Sequence, residues 1–286
     1  MRPYIDVHCH IGMTVSRAPA IGQSVGRYMA RMASAGVTAA ILSPTAGGPQ
    51  ANGVLDTRRQ NEEVARGCRA FPDRFPLGLA GVEARHELAG VDELRRSMDD
   101  DGLMGFMCHP ALSGHSLGAE LHALIEVVAE RQGLCLLHQA GSTRNIAAYA
   151  RRFPAVTFII GHVSMNRAGH DDAIAQCADI DNIWYDIAQK PTPEEDAWGL
   201  RHLLDGLAPD RLMFGTDAPY YNFRLVQAMV EEADIAEAAR NAIAHVNAER
   251  LIRQFRPEWR TPTAPVEPPQ RYTDDEMWAA RGPRLL

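Results

Sequence analysis

The chain contains no apolar run approaching the ~18 residues that mark a membrane-spanning helix, which argues against a membrane protein. No basic region and apolar stretch precede the first extended segment, so a cytoplasmic location is expected. Positive charge is not in excess. The formal net charge of -7 argues against a nucleic-acid or anionic-membrane surface and leaves a small molecule as the expected partner. A disulfide framework is not expected either. Five cysteines is an odd number, and Cys9, Cys108 and Cys135 lie within or beside apolar runs, where a free thiol behaves as a small apolar residue. Gly47-Gly48 has neither the lysine nor the spacing of a phosphate-binding loop. What is present is an ordinary globular composition, 46% hydrophobic and 23% charged, over a length that suits one α/β barrel of ~250 residues with some excess.

The most informative segment is Asp6-Val7-His8-Cys9-His10, at the end of an extended apolar stretch that begins at Pro3. Successive side chains on a strand point to opposite faces, so Asp6, His8 and His10 are expected to share one face. Two imidazoles two residues apart can supply two ligands to one metal ion in nearly fixed geometry. Alone, such a pair is weak; three later runs repeat the arrangement. Leu134 to His138 and Val156 to His162 are apolar runs ending in histidine, and Arg211 to Asp217 ends in aspartate. Runs rich in Val, Ile, Leu and Phe suit strands buried on both faces. Polar residues placed repeatedly at the C-terminal ends of such strands are what an α/β barrel uses for its active site.

Eight strand and helix alternations are read along the chain, with strands at 3–8, 37–42, 76–82, 103–108, 134–138, 156–161, 182–187 and 211–215. Helical patterns fall at 25–35, 61–70, 91–98, 117–132, 146–152, 171–178 and 194–207, and a loop is expected from Gly12 to Ser24. Alternation of this kind implies parallel strands joined by crossover helices, and eight units close a (β/α)8 TIM barrel of the α/β class in a single domain, residues 1–256. From Pro257 onward, prolines at 262, 265, 268 and 269 break any periodicity. Residues 257–286 are therefore expected to form an extended C-terminal tail whose Trp278, Leu285 and Leu286 dock on the barrel or on a neighbouring subunit of a homo-oligomer.

The order Asp6-Val7-His8-Cys9-His10, Leu137-His138, Gly161-His162 and Gly215-Thr216-Asp217-Ala218-Pro219 resembles the amidohydrolase superfamily. It is most similar to the amidohydrolase-related branch, which holds hydrolases, lactonases and nonoxidative decarboxylases like aminocarboxymuconate-semialdehyde decarboxylase. Val246 to Leu251 resembles the closing helix of that group. The resemblance runs from Tyr4 to about Phe255 and is specific for superfamily, not for substrate. It implies that His8, His10, His138 and Asp217 surround one divalent ion. Zinc is the first candidate, with manganese, iron or cobalt close behind. Water bound to such an ion ionises near neutral pH. The resemblance further gives Asp217 as the group that takes a proton and His162 as an acid/base or orienting group outside the metal set. Members with two metals carry a lysine on the fourth strand, where this chain has Gly105-Phe106-Met107-Cys108-His109-Pro110. A thioether forms no carbamate, so one ion is expected.

Around this set, His109 shares parity with Met107 and is a substrate contact, a further acid/base or a structural histidine. Arg144 and Arg167 stand on the face where substrate enters, and a guanidinium can select a carboxylate. Tyr220 and Tyr221 are candidate aromatic walls. Asp6 is expected either to orient a ligand histidine or to cap backbone, and Asp186 to make a structural hydrogen bond. The expected activity is metal-dependent hydrolysis of a small amide, lactone or ester. Nonoxidative decarboxylation of an aromatic or unsaturated acid is the alternative; a non-catalytic barrel and a TatD-like nuclease rank lower, the latter because its fourth-strand glutamate is absent.

Overall fold

The computed structural model describes residues 2–15, 21–48, 50–113, 116–139, 142–163, 166–188 and 193–268. The apolar runs become strands: β1 Tyr4–Thr14, β2 Ile21–Gln23, β3 Val37–Pro44, β4 Leu77–Gly78, β5 Gly105–Cys108, β6 Leu134–His138, β7 Thr157–Gly161, β8 Ile183–Asp186 and β9 Leu212–Met213. Between and after them come α1 Val25–Ala35, α2 Val54–Ala70, α3 Glu87–Asp99, α4 Pro110–Ser113, α5 His122–Glu130, α6 Arg144–Arg152, α7 Arg167–Cys177, α8 Pro193–Gly206, α9 Phe223–Glu232, α10 Glu237–Asn241 and α11 Asn247–Phe255. Helix α1 starts where the Ser24 side chain accepts from Arg27 N and ends where Gly36 takes a left-handed backbone (φ 70°), a cap and stop that the residue types favour.

Strands β1, β3 and β4 pair in parallel, as do β5 through β9 in order. Two parallel bridges, Ala80 with Phe106 and Cys9 with Ala218, join these sets. At one join Ala80 N donates to Gly105 O at 2.9 Å and Met107 N to Ala80 O at 2.8 Å; at the other, Val7 N donates to Phe214 O at 3.1 Å and Asp217 N to His8 O at 2.7 Å. The eight parallel strands thus form a closed (β/α)8 barrel, which has no free edge. Its interior is filled by Ile5, Val7, Ala39, Ile41, Leu77, Leu79, Met107, Leu134, Leu136, Ile159, Trp184 and Met213. The intervening residues, among them Cys9, Leu42, Phe106, Cys135 and Phe158, meet the surrounding helices. Helix α11 packs Ala248, Leu251 and Ile252 onto the interior cluster; Leu251 and Ile252, wholly buried, contribute roughly 1.5–3 kcal/mol each.

Two elements differ from the sequence reading. The expected loop from Gly12 to Ser24 instead continues β1 and returns as β2, an antiparallel pair with Thr14 opposite Ile21. The third and last barrel strands are shorter as ladders than the apolar runs 76–82 and 211–215, because pairing beyond β4 and β9 proceeds through single bridges. All five cysteines are free. No helix among the described residues is long and apolar enough to cross a membrane. Trp259 Nε1 donates to Asp73 O at 3.0 Å, and Arg74 Nη2 donates to the carbonyls of Ala264 and Pro265, so residues 259–265 lie against the barrel. Trp278, Leu285 and Leu286 fall outside the described residues.

The expected shared face of Asp6, His8 and His10 does not form. Asp6 pairs with Ala40 and Cys9 with Leu42, so three steps on β1 oppose two on β3. This bulge changes the parity of the strand. Asp6 faces the helix layer with Cys9, and its carboxylate accepts from the Tyr28 hydroxyl of α1 at 2.8 Å, whereas His8 and His10 turn into the mouth of the barrel.

Candidate metal centre and active site

Four side chains from three parts of the ring converge. His8 and His10 come from β1, His138 ends β6, and Asp217 follows β9; one ligand atom from each lies within 4.8 Å of all the others. His8 Nε2 stands 3.0 Å from His138 Nε2 and 3.6 Å from Asp217 Oδ1, and His10 Nε2 stands 2.9 Å from Asp217 Oδ1. None of the four is more than 2% exposed.

The opposite ring nitrogens fix the tautomers. His8 Nδ1 donates to Asp186 Oδ2 at 2.8 Å, and His138 Nδ1 donates to the Cys108 carbonyl at 2.9 Å. His10 Nδ1 meets Pro44 O at 3.0 Å and Ser43 Oγ at 2.8 Å, while the Ser43 hydroxyl hydrogen is used on Cys9 O. Each Nδ1 therefore carries hydrogen, and each Nε2 presents a lone pair whenever its ring is neutral. Three lone pairs and a carboxylate oxygen converge, an arrangement that holds together only around positive charge. A proton on His8 Nε2 relieves the His8–His138 approach but leaves His10 Nε2 facing a carboxylate oxygen, acceptor against acceptor. A cation relieves both, so the residues present fit a metal ion.

Charge agrees with a divalent ion. Burial pulls the His8 imidazole down, but Asp186, with Asp217 and Asp6, outweighs it and raises its pKa to about 9. Burial, reinforced by the neighbouring imidazoles, holds His138 well below its ordinary value. Burial opposes the charge on Asp217, yet the bond with His10 and the nearby His8 hold its carboxyl well below the usual carboxylate range. Asp186 behaves alike, with His8 overcoming burial. Two ionised carboxylates thus flank the cluster, and a divalent ion balances them once His8 gives up its extra proton.

His162 follows β7 and lies beside this set, its ring centroid 4.7 Å from that of His8 and 4.8 Å from that of His138. It is 3% exposed, and neither ring nitrogen has a hydrogen-bond partner among the described residues. Burial, with His8 adding to it, pulls its pKa down to about 4, so it is a neutral imidazole at physiological pH. His162 and Asp217 both hold left-handed backbone, φ 65° and 54°. Such strain of order 1–3 kcal/mol per residue persists only where surroundings enforce it. Here His162 N donates to Asp186 Oδ1 at 3.1 Å and Asp217 N to His8 O.

The remaining candidates divide. The half-buried His109 stacks obliquely on His138 at 4.3 Å between centroids, and burial pulls its pKa down to about 4. Tyr220 stands edge-on to His10 at 5.9 Å, its hydroxyl donating to Ala46 O at 3.0 Å. Arg144 and Arg167 instead occupy the first residues of α6 and α7, both exposed; Arg167 pairs with Asp171 at 3.1 Å. Their loop position is replaced by helix starts, and no contact to the cluster is seen among the described residues.

Two carboxylates make the backbone bonds expected of them, and one does more. Asp186 does make structural bonds, to His162 N and Ala188 N, but its other oxygen fixes the tautomer of His8. The signal was available: Asp186 ends a strand as the other polar residues do. Among the described residues Asp6 bonds to no ring of the cluster. It accepts from His8 N, Thr216 N and the Thr216 hydroxyl, tying β1 to the segment that carries Asp217.

A closed barrel with a histidine and aspartate cluster at the C-terminal ends of its strands defines a class of metal-site enzyme folds. The chain belongs to the amidohydrolase family, whose profile matches residues 5–254. No curated protein matches it. Among solved structures it is similar to 2,6-dihydroxybenzoate decarboxylase in complex with 2,6-dihydroxybenzoate, at 18% identity over 88% of this chain and 100% of that one, TM-score 0.67. A dihydroxybenzoic acid decarboxylase from a Polaromonas species, with bound manganese and 2-nitroresorcinol, is 18% identical over 89% of this chain and 98% of that one, TM-score 0.66. A probable 2-pyrone-4,6-dicarboxylic acid hydrolase from Acinetobacter baumannii, with citric acid bound, is 13% identical over 87% and 98%, TM-score 0.66. At such identities these likenesses speak for the fold.

Proposed function

We propose that the protein is a metal-dependent hydrolase of a small amide, lactone or ester, with one divalent ion held by His8, His10, His138 and Asp217. One observation carries the reading: three Nε2 atoms and a carboxylate oxygen converge while the Nδ1 of each of the three rings is already committed to an acceptor. Zinc suits these donors, and manganese, which the Polaromonas enzyme binds, suits them too. When bound, the ion supplies Lewis-acid polarisation and a water acidic enough to ionise near neutral pH. Met107 lies in the apolar interior, and β5, Gly105–Cys108, carries no lysine, which supports a single ion.

The chain's own residues do the rest. Asp217, held ionised, accepts the proton released as the nucleophile forms. His162, neutral and with neither ring nitrogen hydrogen-bonded among the described residues, orients the reacting oxygen and relays that proton toward the leaving group. Asp186 holds His8 in the tautomer that exposes Nε2. His109 and Tyr220 wall the substrate.

Nonoxidative decarboxylation is the second reading. Every one of the five central side chains is at most 3% exposed, and desolvation favours turning a carboxylate into neutral carbon dioxide. The test is a panel of lactones, esters and amides alongside hydroxybenzoates, assayed with chelated and zinc- or manganese-restored protein. Metal-dependent acid release without carbon dioxide supports hydrolysis; carbon dioxide release from a hydroxybenzoate replaces it with decarboxylation. Full activity in the chelated protein defeats both.

A further inference from the structure

We propose that Gln23 and Arg31 are positioning residues of the metal site, closing a ring of hydrogen bonds that fixes the main chain of His10 against the segment carrying Asp217 and Tyr220. The proposal rests on the metal-site reading above. His10 N donates to Ala218 O at 2.7 Å, and His10 O accepts from Gln23 Nε2 at 2.7 Å. Gln23 Oε1 in turn accepts from Arg31 Nη1 at 2.6 Å, and Arg31 Nη2 donates to Tyr221 O at 3.2 Å. From Tyr221 back to Ala218 the chain itself completes the circuit. The ring joins the two sides of the site: His10 Nε2 lies 2.9 Å from Asp217 Oδ1, and Tyr220, whose N donates to Asp217 O at 2.9 Å, meets the His10 ring edge-on.

The residue types leave this ring little freedom. A guanidinium only donates and a carbonyl only accepts, so one orientation of the Gln23 amide satisfies both neighbours. Gln23 is buried, and turning its amide would leave polar atoms without partners where water cannot replace them. Arg31 presents a planar fork to two acceptors on different elements while its guanidinium carbon lies 5.3 Å from the centre of the Phe223 ring. Both acceptors are neutral oxygens, so the charge serves geometry rather than an ion pair.

The extension of β1 acquires a purpose here. Its return strand β2 sets Gln23 opposite Gly12, which brings the amide to the carbonyl of the ligand histidine just before it. Tyr28 lies one turn before Arg31 on α1 and reaches Asp6, so one face of this helix secures β1 both before and after its bulge. The ring also predicts a sign. Removing a cation behind a metal site raises metal affinity by charge alone, whereas opening the ring lowers it by releasing His10 from its setting against Asp217.

The test titrates cobalt(II) into the chelated full chain against a competing chromogenic chelator and records the visible spectrum of the bound ion, which responds to ligand angles. Gln23→Met and Arg31→Met should each weaken binding about tenfold and alter the spectrum. A ring opens only once, so the double variant should also lose about tenfold and not about a hundredfold. Arg31→Lys keeps the charge without the fork; it should lose affinity as Arg31→Met does, and it stands in should that variant not fold. Ile252→Val, which thins the packing of α11 on the barrel interior, should lower the denaturant midpoint and leave affinity and spectrum as in the wild type. Wild-type affinity and spectrum in either methionine variant, tighter binding in Arg31→Met, full affinity in Arg31→Lys, additive losses in the double variant, or an equal loss in Ile252→Val would each overturn the proposal. Wild-type protein that takes up no cobalt defeats the metal-site reading; normal uptake with unchanged variants defeats this proposal alone.

Discussion

Asp186 and His8 meet through one carboxylate oxygen, 2.8 Å from Nδ1, while the other oxygen of the same group accepts from the main chain of His162. One acid therefore sets both the tautomer of an imidazole in the cluster and the position of the histidine beside it. Replacing Asp186 with Ala should weaken zinc binding by roughly 10–100-fold, the usual effect of losing such an outer partner. Competition with a chromogenic chelator reads this directly, and wild-type affinity would show that His8 needs no help from Asp186.

His138 and His162 should respond differently to truncation. His138→Ala removes one of four converging atoms and is expected to lose metal. His162→Ala should keep most of its metal and lose turnover by roughly a hundredfold or more, as for a removed acid/base group. Elemental analysis and steady-state rates on both variants separate the roles; equal metal loss would move His162 into the ligand set.

Proton release on metal binding follows from the pKa of His8 near 9. Below that pH His8 carries an extra proton that a cation must displace, so at pH 7 uptake of one ion should release about one proton. Above about pH 10 the His8 contribution should vanish, leaving only what the ionising water would add, and apparent affinity should fall as pH drops from 9 toward 6. Titration calorimetry in buffers of different ionisation enthalpy measures the number. No buffer dependence at pH 7 would mean that His8 is neutral before the metal arrives.

Acid stability has a separate source in α3. Burial works against the charge of Glu93, yet bonds from Arg96, Arg58, Asn61 and Ser97 hold its pKa down at about 2. A carboxyl lowered on folding stabilises the fold fully above its unfolded value near 4.5, and that contribution is lost as pH falls from there to about 2. The full contribution is at most about 3 kcal/mol. Glu93→Gln should be destabilised at pH 7 and close on the wild type as pH falls through 3 toward 2, as measured by denaturant midpoints. A difference independent of pH would remove the charge from the explanation.

Much of the fold was legible because a buried parallel barrel writes itself as apolar runs ended by polar residues, and His138, His162 and Asp217 each close such a run. The helix from Val25 to Ala35 was readable to the residue, since Ser24 and Gly36 mark its ends. What escaped was set by contacts distant in sequence. The side of β1 on which Asp6 falls depends on pairing with β3, which a period-two pattern does not encode. Asp186 was read as structural because its partner, His8, lies 178 positions away. The helix starts at Arg144 and Arg167 arise from the local backbone, which places both expected entrance residues at exposed first helical positions.

The extra residue in β1 divides the strand into two mechanical regimes. Upstream of it, Tyr4 and Asp6 answer to the helix layer; downstream, His10 answers to the catalytic mouth. Asp6 nevertheless bridges the two, bonding Tyr28 with one side of its carboxylate and the main chain of His8 and Thr216 with the other, so repacking of the helix layer at Tyr28 is transmitted to the segments that carry His8 and Asp217.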